Sequence, residues 1–254
     1  MRFLTFSVLK NCKIKTSLFK NFSVQVQANR EIEKLSDPNL VEILPSWKED
    51  EEAELRATVL QHMRVLPNFV TEEEEAALLA EVEPQLKRMR YEFDHWDNAI
   101  EGYRETERSK WNATNSEVLA RVRAVAFPPH AELLPHAHVL DLAPAGHIRP
   151  HVDAVRFCGD TIAGLCLLSS AVMRLTHEQR PHLALDALLQ RRCLYVMTGV
   201  ARYAFSHAVL RGAAGAGGAG GEWRGAPVRR RRRVAVICRE RPAAPRDGPS
   251  SLPN

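Results

Sequence analysis

Our prediction of the fold starts from Gly146-His147-Ile148-Arg149-Pro150-His151-Val152-Asp153, which ends in a histidine and an aspartate two positions apart. On an extended strand, residues i and i+2 project from the same face, about 7 Å apart at the backbone. The imidazole of His151 and the carboxylate of Asp153 could then bind one metal ion as two ligands of a 2-His-1-carboxylate triad. The alternative is a surface turn beside Pro150, because His-x-Asp is common by chance.

A third ligand must come from a histidine further along the chain, and the candidates are His177, His182 and His207. In a jelly roll, a distant strand lies beside the first only after several intervening strands, which takes roughly 45–60 residues. His207 follows His151 by 56 positions, whereas His177 and His182 follow it by 26 and 31. We therefore predict that His151, Asp153 and His207 are the ligands and that His177 is an ordinary strand residue.

Short apolar runs alternate with turn residues after position 135 and favour β-strands. We predict strands at 137–142, 148–155, 161–168, 171–177, 183–189, 193–198, 201–206 and 234–239, although 183–189 could be a helical turn. Three helices are expected. One lies at about 55–63, one begins after the Thr71 cap with its capping-box partner Glu74, and one lies at about 116–127. The predicted fold class is α+β: a double-stranded β-helix (jelly roll) with N-terminal helices packed on one sheet.

Two arginines bound the last predicted strand, Arg233 and Arg239. Their even separation places both on one face, about 20 Å apart at the backbone. Two inward-leaning guanidinium groups could grip the ends of a dicarboxylate, since guanidinium binds carboxylate through paired hydrogen bonds. The alternative is a solvated strand end, and the basic run 229–233 is itself predicted to be mostly solvated.

The N-terminal 30 residues hold the basic excess of the chain. The formal net charge of the chain is +4, from 35 Lys and Arg residues and 31 Asp and Glu residues. Residues 1–30 contain six of the basic residues and no acidic residue, so the rest of the chain has 29 basic and 31 acidic residues. A leader with basic, Ser/Thr and apolar residues but no acids is typical of a mitochondrial transit peptide, the alternative being a disordered N-terminus. The slightly acidic remainder is unlike most nucleic-acid-binding domains.

Membrane spans and structural disulfides are not expected. No apolar run approaches the 18 residues that indicate a transmembrane helix. The five cysteines are odd in number and form no CxxC pair, which predicts reduced thiols.

Several separate blocks resemble a known family: MRYEFDHWDNAIEGYRETERSKW at 89–111, HVDAVRFCGDTIAGLCLLS at 151–169, ARY at 201–203 and VAVICR at 234–239. With the order of the triad and the arginines, they make the segment from about 66 to 239 similar to the AlkB-like Fe(II)/2-oxoglutarate dioxygenases, most closely to their mitochondrial branch. One departure is His147, where the family often has a tyrosine. The polar and aromatic segment 91–97 is predicted to be a structured loop near the site or a partly buried aromatic cluster.

The resemblance implies an enzyme that uses Fe2+, 2-oxoglutarate and O2. It implies iron at His151, Asp153 and His207, and a 2-oxoglutarate pocket in which Arg233 binds the distal carboxylate. The implied co-substrate residues are Tyr195, Arg233, Val234, Ala235 and Arg239. The domain plan is then a transit peptide at 1–30, an acidic low-order linker at 31–60, a dioxygenase domain at 61–240 with a flexible Gly/Ala/Arg loop at 211–232, and a disordered tail at 241–254.

The resemblance also implies a protein or metabolite substrate in the mitochondrial matrix, with links to fatty-acid metabolism and to alkylation-induced programmed necrosis. Repair-type relatives need a positive groove and a lid that grips an extruded base. Methylated mitochondrial tRNA is an alternative substrate. The only candidate RNA contacts in the sequence are the basic run 229–233 and the aromatic residues Tyr91, Phe93 and Trp96. A third possibility is a catalytically silent binding module that keeps the metal site for stability.

Overall fold

The computed structural model describes residues 34–95, 98–211 and 221–243. The predicted transit peptide, Cys12, Trp96, most of the Gly/Ala loop and most of the predicted tail lie outside the described residues. Four α-helices lie wholly within the described part: α1 (Ala53–His62), α2 (Glu72–Leu86), α3 (Ala113–Ala126) and α4 (Gly199–Tyr203), and a short 3-10 helix precedes them at Pro38–Leu40. None of them has the length and apolar character needed to cross a membrane.

The strands follow in chain order. They are β1 (Val41–Ile43), β2 (Met63–Leu66), β3 (Ile100–Arg108), β4 (Ala137–His151), β5 (Ile162–Leu167), β6 (Ala171–His177), β7 (Ala184–Leu189), β8 (Leu194–Met197), β9 (Phe205–Val209), β10 (Glu222–Trp223), β11 (Ala226–Pro227) and β12 (Arg233–Arg239). Segment 183–189, for which a helical turn was the alternative, is therefore a strand. β10 and β11 form a separate two-stranded sheet.

Ten strands form one antiparallel sheet in the order β1-β7-β6-β9-β4-β12-β5-β8-β2, with β3 also paired to β4. The long strand β4 belongs to both halves of this sheet. Its first part pairs with β12, as at Val139 and Val236, and its last residue His151 pairs with His207 of β9. The sheet closes almost into a barrel with the two halves facing each other, and the predicted jelly roll is confirmed.

Alternate residues of the central strands pack into two different cores. Ala235 and Ile237 of β12 lie inside the barrel among residues of β6, β7 and β9. Val234 and Val236 lie on the opposite face, against residues of α2 and α3. Because successive strand residues point to opposite faces, a strand covered on both sides is apolar at nearly every position, as VAVIC is.

Helix α2 begins at the predicted capping box. The Thr71 hydroxyl accepts a hydrogen bond from the Glu74 amide at 3.1 Å, and the Thr71 amide donates to the Glu74 carboxylate at 3.0 Å. Leu78, Val82 and Leu86 are fully buried at helical spacing and pack on the outer face of the sheet with α3. The predicted placement of the helices on one sheet is therefore confirmed.

Part of the predicted low-order linker is ordered. Val41–Ile43 form β1, which pairs with β7 at the edge of the sheet. Trp47 is only 2% exposed, its indole N–H donates to the Glu51 carbonyl at 2.9 Å, and its ring stacks on Phe205. The acidic, proline-containing composition predicted a linker, but pairing and burial against distant residues override it here.

Two further elements differ from the sequence prediction. Residues 100–108 form strand β3 on β4, although their mostly polar sequence does not predict a strand. The predicted strand 201–206 is mostly the short helix α4, and β9 begins only at Phe205. Both differences arise because the pairing of β3 and β9 with β4 depends on tertiary contacts rather than on a local alternation of apolar residues.

Asp141 of β4 is fully buried and connects several elements. It accepts hydrogen bonds from Arg104 at 2.7 Å, from Arg232 at 2.8 Å and from the Tyr91 hydroxyl at 3.2 Å. Arg232 also forms a paired contact with Glu83 of α2. The basic run is therefore partly buried and engaged, in contrast to the predicted solvated run.

Replacing Asp141 with asparagine is expected to lower the free energy of unfolding by about 1.5 kcal/mol, since hydrogen bonds to charged groups contribute about 1.5–3 kcal/mol. The lower end applies because Arg232 is 27% exposed and is screened by solvent. Urea unfolding followed by circular dichroism measures the change. The control Glu117→Gln alters an exposed carboxylate and should stay within about 0.5 kcal/mol of the parent; equal effects of the two substitutions would contradict the prediction.

Candidate metal centre

His151, Asp153 and His207 converge on one point inside the barrel. Their ligand atoms all lie within 4.8 Å of one another, and no other such group of donors was found among the described residues. His151 and His207 are direct partners across β4 and β9, with ring centroids 4.3 Å apart. Nε2 of His151 lies 3.4 Å from Oδ1 of Asp153. His207, although distant in sequence, is thus brought next to His151 and Asp153 by the pairing of β9 with β4.

The two other candidate histidines lie elsewhere. The ring of His177 packs edge-on against Phe205, with centroids 5.1 Å apart, and its Nδ1 accepts hydrogen bonds from the amides that follow it. His182 is half exposed and pairs with Glu51 at 2.7 Å. Neither side chain joins the group of donors.

Neighbouring groups orient two of the three donors. Nδ1 of His151 lies 3.0 Å from the Arg149 carbonyl, so it carries the proton and leaves the lone pair on Nε2. Oδ2 of Asp153 accepts a hydrogen bond from Nε of Arg239 at 3.1 Å, which leaves Oδ1 for the cluster. Nδ1 of His207 is buried without a hydrogen-bond partner.

The electrostatics keep His207 and Asp153 in the forms that bind metal. Burial, with the nearby His151, lowers the pKa of His207 to about 3, so this imidazole is neutral at physiological pH. Burial alone raises the pKa of Asp153, but its contact with His151 and the positive Arg239 lower the pKa well below the ordinary value. Neutral imidazoles beside an ionised carboxylate are the donor set that non-haem Fe(II) oxygenases use, so the residues present fit iron.

Arg239 belongs to a polar chain that links the cluster to β3. Its Nη1 lies 3.2 Å from Nδ1 of His138, and Nε2 of His138 lies 2.7 Å from Glu105. Glu105 is in turn 3.5 Å from Nε2 of His95. Because guanidinium can only donate, Nδ1 of His138 must accept and its proton lies on Nε2. The chain fixes the orientation of Arg239, and through it that of Asp153.

Arg233 lies on the interior wall of the barrel and lacks a carboxylate partner among the described residues. It is 2% exposed, its Nη2 contacts the sulfur of Cys166 at 3.1 Å, and its Nε is buried without a partner. Tyr195 is buried on the same wall, and its ring lies so close to Gly164 that a Cβ there would be 2.4 Å from the ring. A buried guanidinium with an unused donor fits an anionic ligand.

The remaining predicted co-substrate residues divide between the two faces of β12. Ala235 lies on the interior face with Arg233, whereas Val234 packs with the helices on the other face. The Val234 side chain cannot line the same pocket as Ala235, so that prediction is wrong. His147 pairs with Glu101 of β3 in the sheet, and its Nε2 lies 3.3 Å from Arg211.

Sequence reasoning missed His138 and Glu105. His138 projects from β4 and Glu105 from β3, and the sequence predicts no strand at 100–108, so their contact could not be anticipated. The even spacing of His138 from Leu140 and Leu142, which face the barrel interior, was a signal that its side chain points inward.

A nearly closed jelly roll with an interior His-Asp-His group and a buried arginine on its last strand defines the class of Fe(II)/2-oxoglutarate oxygenases. The chain is 49% identical over 197 residues to "Alpha-ketoglutarate-dependent dioxygenase alkB homolog 7, mitochondrial" of Mus musculus, covering 78% of this chain and 86% of that protein. It is 50% identical over 190 residues to the protein of the same name in Bos taurus, covering 74% and 83%. The chain therefore belongs to the alkB homolog 7 family of mitochondrial alpha-ketoglutarate-dependent dioxygenases.

The solved structure of OsALKBH1 matches with a TM-score of 0.52 and 12% identity, over 70% of this chain and 97% of that one, and supports the fold alone. No protein-family model matches the chain.

Proposed function

We propose that this protein is a dioxygenase of the mitochondrial matrix that uses Fe2+, 2-oxoglutarate and O2 to hydroxylate a protein or metabolite. The observation that carries the proposal is the convergence of His151, Asp153 and His207 within 4.8 Å inside the barrel. These three residues would hold the iron. When bound, the iron supplies oxidising power that inserts oxygen into a substrate C–H bond, while 2-oxoglutarate becomes succinate and CO2.

The other interior residues would bind and orient the co-substrate. The unpartnered Nε of Arg233 would donate to the distal carboxylate of 2-oxoglutarate, and the hydroxyl end of Tyr195 and the small side chain of Ala235 would complete that wall. Arg239 would keep Asp153 ionised and correctly rotated, because it donates to the carboxylate oxygen that faces away from His151.

The described surface supports a substrate other than nucleic acid. In the run 229–233, Arg232 is held by two carboxylates and Arg233 is buried, so only part of the run is accessible. Tyr91 is half-buried and bonded to Asp141. Phe93 is 67% exposed, but one exposed aromatic side chain among the described residues of 91–95 is a weak stacking platform for bases. The same proposal includes a role in fatty-acid metabolism and in alkylation-induced programmed necrosis.

The formation of succinate from 2-oxoglutarate tests the enzymatic role. The purified full chain with Fe2+ and ascorbate should form succinate, and a chelator should abolish its formation. The absence of succinate above the chelated sample would instead indicate a silent metal-binding module.

Methylated mitochondrial tRNA remains the competing substrate. RNA binding measured at increasing salt concentration decides between tRNA and a protein or metabolite. Binding of a structured RNA should be weak and nearly independent of salt if the substrate is a protein or metabolite. A steep loss of affinity with rising salt would favour tRNA, because each phosphate contact releases a counterion.

Replacing His138 with phenylalanine should weaken metal binding about tenfold, the lower end of the 10–100-fold cost for partners of metal ligands. The substitution removes the acceptor that orients Arg239, whereas the three ligands stay in place. Titration with Co2+, followed by its visible absorption, measures the affinity. His136→Phe is the matched control, since His136 pairs with Glu107 at the surface; a loss of the same size in both variants would contradict a positioning role for His138.

A further inference from the structure

Two buried cysteines lie side by side on the interior wall of the barrel. Cys166 belongs to β5 and Cys193 immediately precedes β8, one step beyond the register pair Leu165 and Leu194. The Cys166 amide donates to the Cys193 carbonyl at 2.9 Å, and both side chains belong to the interior core. Both are free thiols with 0% exposure.

This placement suits a disulfide. Directly opposed residues of antiparallel strands have Cα atoms about 4.5–5.5 Å apart, and disulfides span about 4.4–6.8 Å between Cα atoms. After burial, each thiol is the strongest influence on the pKa of the other. The Cα separation expected of such cross-strand neighbours falls within the range that a disulfide can span.

The two sulfurs differ in their tendency to ionise. Burial opposes ionisation of both, but the neighbouring Cys193 thiol and the contact with Arg233 lower the pKa of Cys166 to about 6. Burial and the neighbouring Cys166 raise the pKa of Cys193. At neutral pH the pair therefore consists of a thiolate nucleophile beside a protonated thiol, the pairing that thiol oxidation uses.

We propose that Cys166 and Cys193 form a thiol–disulfide modification site that hydrogen peroxide oxidises and that lies against the guanidinium assigned to the co-substrate. The link to the co-substrate rests on the proposed function; the disulfide itself does not. Hydrogen peroxide is close to water in size and would enter the barrel by the route that 2-oxoglutarate takes to Arg233.

Oxidation proceeds in two balanced steps. The Cys166 thiolate attacks one peroxide oxygen, an S–O bond forms, the O–O bond breaks, and the leaving hydroxide takes a proton to become water. The Cys193 sulfur then attacks the sulfenic sulfur, an S–S bond forms, the S–O bond breaks, and hydroxide leaves with the Cys193 proton as a second water. The two sulfurs together lose two electrons, which one peroxide molecule accepts.

Occupation of Arg233 should protect the pair. A carboxylate bound to Arg233 competes with the thiolate for the guanidinium, which raises the thiol pKa. A rise of about two units would cut the thiolate fraction at pH 7, and with it the oxidation rate, by roughly tenfold. 2-Oxoglutarate is thus expected to slow formation of the disulfide, with Zn2+ filling the metal site because it does not undergo redox cycling.

Peptide mapping of the full chain without reductant tests the proposal. Protein reduced beforehand is treated with dilute hydrogen peroxide, with a chelator in one arm and with Zn2+ and 2-oxoglutarate in another. The expected result is a peptide pair joined through Cys166 and Cys193, reversed by dithiothreitol and formed roughly tenfold more slowly with 2-oxoglutarate. Cys193→Ala should instead accumulate sulfenic acid at Cys166, whereas Cys238→Ser, on the helix-facing side of β12, should leave the cross-link unchanged.

The wild-type chain alone can overturn the proposal, so no variant has to fold for the test to be decisive. Both cysteines remaining free thiols, under peroxide that oxidises the same residues in unfolded protein, would exclude the site. A disulfide that forms at the same rate with 2-oxoglutarate would retain the modification site and overturn its coupling to the co-substrate. If calorimetry then shows no 2-oxoglutarate binding to reduced protein, the failure lies in the proposed function.

Discussion

Replacing His207 with alanine is expected to lower the formation of succinate from 2-oxoglutarate by more than about 100-fold. Partners that merely orient a metal ligand typically contribute 10–100-fold, so the loss of a ligand itself should exceed that range. His207 is also the donor that the fold delivers from the greatest sequence distance, through the pairing of β9 with β4. Without it, His151 and Asp153 form an incomplete site.

The measurement requires a histidine control that leaves the donor group untouched. His182→Ala removes a half-exposed imidazole that pairs with Glu51 far from the cluster, and it should retain wild-type turnover. Iron content measured on the same samples separates loss of the metal from loss of the fold, which circular dichroism reports. Turnover by His207→Ala equal to that of His182→Ala would contradict the assignment of the site.

The three donors could be predicted from sequence because their meeting depends on chain length and strand geometry. Spacing of i and i+2 predicted that His151 and Asp153 reach one ion, although β4 ends at His151 and Asp153 lies just beyond the strand rather than on it. The length of the intervening strands favoured His207 over His177. The structure brings these three together and leaves His177 against Phe205. Periodicity likewise predicted the capped helix α2.

The parts that sequence could not supply depend on contacts between distant residues. Asp141 is an acidic residue within an apolar strand, and only the structure shows the two arginines that compensate its burial. The chain from Arg239 through His138 to Glu105 depends on β3, whose sequence lacks the alternation expected of a strand. Family resemblance placed Val234 in the pocket, whereas strand alternation places it among the helices.

Replacing Arg233 with methionine is expected to raise the KM for 2-oxoglutarate by at least about 30-fold. Truncating one partner of a buried charge pair costs about 2–5 kcal/mol, and each 1.4 kcal/mol corresponds to about tenfold in affinity. The expected loss concerns co-substrate binding more than turnover at saturation, because Arg233 is not one of the metal-binding donors.

Stability distinguishes a ligand-binding role for Arg233 from a structural one. Arg233 is buried with an unpartnered Nε, so its replacement by an apolar side chain of similar length should leave the melting temperature unchanged or raise it. The additional stabilisation that 2-oxoglutarate gives the wild type should disappear, since it depends on ligand affinity. Arg231→Gln, an exposed neighbour in the same run, should keep both the KM and the ligand-induced shift. An Arg233→Met protein that melts at a much lower temperature yet still responds fully to 2-oxoglutarate would show that Arg233 supports the barrel and leaves the co-substrate to other residues.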